Sequence, residues 1–82
     1  MREEVASLVN DKIKELNVFV DDAFIGEEEG KQIFNIVLDS REVIDLNKIT
    51  AASRIINKIM DENKEVLGDV DELDIYSKTK GE

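Results

Sequence analysis

Cysteine and histidine, which carry much of enzymatic chemistry, are absent from this chain. Thiol nucleophiles, imidazole bases, disulfides and the usual zinc, haem and iron–sulfur ligands are therefore excluded together. Carboxylates, lysines, serines, threonines and one tyrosine remain. The carboxylates gather in three stretches: Asp21-Asp22, Glu27-Glu28-Glu29, and Asp69, Asp71, Glu72 and Asp74. In 82 residues, 20 Asp and Glu stand against 11 Lys and Arg, a formal charge of −9. That surplus disfavours a phosphate backbone as partner, which is bound through clustered cations. It suits the attraction and faster capture of a cationic protein. A single acidic stretch is ordinarily a solvated surface, but nine excess charges favour at least one stretch as an interaction face.

More specific carboxylate chemistry fails on spacing. Counted from Asp69, an EF-hand loop needs an oxygen ligand at its fifth position, glycine at its sixth and glutamate at its twelfth. Those positions hold Leu73, Asp74 and Lys80. Catalysis by two carboxylates needs a pair held across a pocket with unequal pKa values, and no such pocket is foreseen. Gly26 and Gly30 flank three glutamates, which repel phosphate, so no phosphate loop is read there. No enzyme activity, cofactor or metal is expected. Arg54 and Lys58, four apart, read first as an ordinary solvated helix face, because no aromatic is interleaved to stack on bases. Their functional alternative is a small basic spot touching an RNA backbone.

The elements that must position these groups follow from periodicity. Val5, Leu8, Val9, Ile13 and Leu16 form one stripe of a helix from Arg2 to Leu16. Asn17 to Ile25 is rich in β-branched and aromatic residues and predicts a strand with a bulge at Asp21-Asp22. Gly26 to Gly30 reads as a hairpin loop. In the strand from Lys31 to Asp39, Phe34, Ile36 and Leu38 alternate with Asn35, Val37 and Asp39. Asp45 caps a second helix from Leu46 to about Asn63, with Leu46, Ile49, Ala52, Ile56, Ile59 and Met60 on one face. A last strand runs from Val70 to Ser77, Leu73 and Ile75 alternating with Asp74 and Tyr76. The prediction is an α+β, two-layer α-β-β-α-β domain over residues 1–77, a three-stranded sheet with two helices packed on one face, and a flexible tail over 78–82. With 41% hydrophobic and 38% charged residues the chain is too apolar for a disordered acidic tail, and its apolar runs are too short for a membrane helix. Glu3 and Glu4 stand where an export signal would be basic, so a cytoplasmic domain is expected.

Three stretches resemble the N-terminal domain of the bacterial ribosome maturation factor RimP family, which has this element order. Phe34-Asn35-Ile36-Val37-Leu38-Asp39-Ser40 is similar to the family's second strand. Ile44-Asp45-Leu46, followed by Ile49, Ala52-Ser53-Arg54, Ile56 and Ile59-Met60-Asp61, is similar to its next helix, and Leu73-Asp74-Ile75-Tyr76-Ser77 to its third strand. Where the family continues through Ser-Pro-Gly into a small β-barrel, this sequence has Lys78, Thr79 and Lys80, so the resemblance is to the N-terminal domain alone.

The resemblance implies a non-enzymatic assembly factor for the small ribosomal subunit. The expected partners are a small-subunit precursor and a basic ribosomal protein. Asp21, Asp22, Glu27, Glu28 and Glu29 are the expected acidic contacts, and Arg54 and Lys58 would make weak rRNA contact. The alternative is an acidic protein-interaction module unrelated to the ribosome, or a homodimer formed through an edge strand.

Overall fold

The computed structural model describes residues 1–42 and 45–78. Ile44, quoted in the resemblance, and residues 79–82 of the expected tail lie outside them. Helix α1 (Arg2–Ile13) leads through a 3₁₀ turn (Lys14–Leu16) to strands β1 (Phe19–Glu28) and β2 (Lys31–Asp39). Helix α2 (Leu46–Glu62), the single-turn helix α3 (Lys64–Leu67) and strand β3 (Glu72–Ser77) complete the order. The sheet runs β1-β2-β3, antiparallel between β1 and β2 and parallel between β2 and β3. A parallel neighbour requires a long crossover, and α2 supplies it. The fold is the α+β class expected, with β2 as the central strand.

Alternation divides the sheet into two faces. Val20, Ala23, Phe34, Ile36 and Leu38 join Val5, Val9 and Ile13 of α1 and Ala52, Ile56 and Met60 of α2 in one buried cluster. Helix α1 packs on β1 and α2, and α2 packs on β3, so the helices cover one side of the sheet. The expected bulge is present: Val20 pairs with Leu38 and Asp22 with Val37, leaving Asp21 as the extra residue. Beside the bulge, the Val20 N–H donates to Asn10 Oδ1 of α1 at 2.9 Å, which satisfies a backbone donor and ties helix to strand.

Several local expectations change: the helix expected to reach Leu16 is α-helical only to Ile13, and β1 begins at Phe19 rather than Asn17. The hairpin loop is not five residues but two, Glu29-Gly30, with φ of 53° and 81°. Positive φ at both central residues is the type I′ geometry that matches strand twist, so β1 continues to Glu28. Gly26 lies inside the strand, where an added Cβ would sit 3.3 Å from Asn35 Nδ2. Asp45 caps α2 as expected, accepting from the Lys48 N–H at 2.9 Å. Leu46, however, is 78% exposed instead of buried, because this first helical residue lies two turns before Ala52, the first fully buried residue of α2. Strand β3 starts at Glu72 rather than Val70. Asp71 precedes it as a clasp: its N–H donates to Gln32 O, and its Oδ2 accepts from the Gln32 N–H, both at 2.8 Å. Lys78, placed at the start of the tail, donates its backbone N–H to Leu38 O at 2.7 Å.

Candidate functional site

The register fixes what the uncovered side of the sheet presents. Phe19 lies beside Asp39, and the next row is Asp22, Val37 and Tyr76. Then come Phe24, Asn35 and Asp74, followed by Gly26, Ile33 and Glu72, and finally Glu28 opposite Lys31. Among the described residues, these strand positions hold the carboxylates of Asp22, Glu28, Asp39, Glu72 and Asp74 and a single cation, Lys31. The Lys31 ammonium is 3.6 Å from Glu72, so the local surplus stays negative. Between the carboxylates lies an apolar strip: Phe24 is 42% exposed and Phe19 37%, Ile33 and Tyr76 are half-buried, and Val37 is buried. Among the described residues no helix packs here, which leaves aromatic rings in water that the other face would have enclosed.

A hydrogen-bonded centre orders this face. The Tyr76 hydroxyl donates to Asn35 Oδ1 at 3.2 Å, and Asn35 Nδ2 donates to the Ile33 carbonyl at 3.1 Å. Gly26, without a side chain, leaves room for the Asn35 amide. A shallow hollow of about 570 Å³ results, lined by Gly26, Glu27, Glu28, Ile33, Asn35, Asp74 and Tyr76. Partial burial, then the charges of Asp74 and Asp22, raise the Tyr76 phenol above its ordinary value. Two carboxylates from the two edge strands are thus felt at one hydroxyl.

The expected site residues divide. Asp22 and Glu28 lie on the open face; Glu27 borders the hollow but belongs by alternation to the other side of β1, and Glu29 sits in the turn. The three glutamates therefore do not form one tip. Asp21 is the bulged residue, and its Oδ2 lies 3.5 Å from Lys78 Nζ. Asp71, from the third acidic stretch, is occupied in the Gln32 clasp, whereas Glu72 and Asp74 join the open face. Arg54 and Lys58 are exposed on α2, each two residues beyond a buried one, Ala52 and Ile56. Two residues turn a helix by about 200°, so both point away from the sheet. The acidic face and the basic pair are on opposite sides of the domain, and one flat partner surface cannot touch both. Among the described residues no group of carboxylates is placed to hold a metal ion.

Asn35, Asp74 and Tyr76 are site residues that the charge stretches did not single out together. Their signal was the period-2 alternation of β2 and β3, once parallel pairing sets Tyr76 beside Val37 and Asp74 beside Asn35. No family model matches the chain, and no curated protein matches it. Among the described residues no helix is long and apolar enough to cross a membrane.

Proposed function

We propose that this chain is a non-enzymatic binding domain, a RimP-like assembly factor for the small ribosomal subunit that engages a basic ribosomal protein through the open face of its sheet. The observation that carries the reading is the union on one uncovered face of five carboxylates with exposed Phe19 and Phe24. Long-range attraction steers a cationic protein to such a face, and the apolar strip supplies contact area once the two surfaces meet. The resemblance of the Phe34–Ser40 stretch, α2 and β3 to the RimP N-terminal domain supplies the identity of the partner. The acidic surplus supports a protein rather than bare rRNA as the primary contact.

Co-sedimentation with small-subunit precursors, and binding to purified basic ribosomal proteins, tests the proposal. Association at low salt that weakens as salt rises is the expected result. Absence of binding to both at low salt overturns it.

A further inference from the structure

The open face has a finer pattern than an acidic surface. Its two central rows, Asp22-Val37-Tyr76 and Phe24-Asn35-Asp74, set four side chains at the corners of a rectangle. The carboxylates of Asp22 and Asp74 occupy one diagonal, and the rings of Phe24 and Tyr76 occupy the other. Strand spacing near 4.8 Å and a two-residue row spacing near 6.8 Å put the Asp22 and Asp74 Cα atoms roughly 12 Å apart. Carboxylates so separated cannot share one ion, whose oxygen ligands lie at about 2.3–2.6 Å. They can each meet a separate charged tip, and each has an aromatic ring as its row or column neighbour.

We infer that the Asp22, Phe24, Asp74 and Tyr76 patch seats arginine side chains of a basic polypeptide. This rests on the proposed reading of the chain as a partner of basic proteins and names the side chain recognised. A guanidinium is planar, stacks on a ring and forks onto a carboxylate at the same time, whereas a lysine ammonium is a strongly hydrated point charge. Ring and carboxylate alternate around this patch, the combination that rewards arginine. A second copy of the chain would bring the same carboxylates against themselves. Nucleic acid and anionic membrane surfaces are repelled for the same reason. Asn35 holds the Tyr76 hydroxyl from the centre, which fixes one ring before any partner arrives.

The chain carries its own reporter, because Tyr76 is its one tyrosine and it has no tryptophan. The probe is a peptide alternating arginine and serine, with a lysine–serine counterpart, a short RNA and anionic vesicles beside it. The arginine peptide is expected to change Tyr76 emission, to lower the pH at which the phenol titrates, and to bind about threefold or more tighter than the lysine peptide. The D22N/D74N double variant is expected to weaken the arginine peptide by about tenfold or more. Asparagine keeps the shape, and at position 22 its Oδ1 still accepts from the Ala23 N–H, as Asp22 does at 2.8 Å.

E62Q/E65Q removes the same two charges at exposed positions at the end of α2 and in α3. It is expected to change binding less than about twofold. Equal loss in the two double variants, equal binding of both peptides, binding without any change at Tyr76, or preference for RNA or vesicles would each overturn the inference. If subunit precursors bind D22N/D74N as well as the unaltered chain, this patch is wrong and the assembly-factor reading stands. If the unaltered chain reports the arginine peptide through Tyr76 but ignores subunit precursors and basic ribosomal proteins, the patch stands and that reading falls.

Discussion

Strand β2 presents two surfaces built from alternate residues of one segment. Toward the helices, Phe34, Ile36 and Leu38 are fully buried. On the reverse side, Ile33 and Asn35 are only half-buried and share their rows with Asp74, Glu72 and an exposed Phe24. One backbone thus serves two purposes with period 2 from Ile33 to Leu38: Phe34, Ile36 and Leu38 hold the molecule together, Ile33 and Asn35 meet solvent, and Val37 on the uncovered side is buried between its neighbours. The division teaches that substitutions two residues apart share a fate, and that neighbours do not.

The largest test of that division is Ile36→Ala. Removing a fully buried side chain from the central strand should cost about 3 kcal/mol in denaturant unfolding, while the fraction that remains folded still binds basic protein. A cost below about 1 kcal/mol would mean that the helix-covered face does not dominate stability. Asp45→Ala removes the cap of α2 and should cost about 1 kcal/mol in the same measurement; an unchanged midpoint would show that the cap contributes nothing. Tyr76→Phe should cost about 0.5–1 kcal/mol by deleting the hydroxyl's hydrogen bond to Asn35.

The same variant sharpens the contrast by pH. The folded state holds the phenol proton more tightly than the unfolded chain does, whose tyrosine titrates near pH 10. The stability linked to this shift is full below that pH and is lost as pH rises through the folded value. Tyr76→Phe should abolish this part of the alkaline decline; an identical decline in both proteins would remove Tyr76 as its source. The smallest stability change is expected for Phe24→Ser, about 0.5 kcal/mol for a ring already 42% exposed. Its effect should appear instead as weaker binding to basic protein in titration, and a variant that binds normally would separate the aromatic strip from recognition.

Much of this was legible in the residues. The stripe Val5, Val9 and Ile13, the alternation of β2, the Asp45 cap and the bulge beside Asp22 all follow from local rules that the tertiary structure obeys. The errors have physical sources. Two glycines bracketing three glutamates suggest a loop by composition, but only Gly30 adopts positive φ, while Gly26 is kept small by Asn35 on the neighbouring strand. Leu46 matches the apolar period of α2 yet lies before the helix meets the sheet. Asn10 lies off the apolar stripe of α1, and nothing in the local pattern shows that the bulged strand uses it as an acceptor. The candidate site was half legible: acid content pointed to Asp22 and Glu28, but not to their separation from Arg54 and Lys58. That separation depends on which side of the sheet the helices cover, a property of packing rather than of any local stretch.

The bulge has a genetic corollary. Because Asp21 is the unmatched residue between Val20 and Asp22, losing its codon would straighten the ladder and leave every other β1 side chain pointing where it now points. Losing the codon for Phe24 or Ile25 would instead turn adjoining residues over and exchange core for water. Length variation in this strand is therefore confined to one position, and the inside-outside code written along the rest of it is protected from slippage.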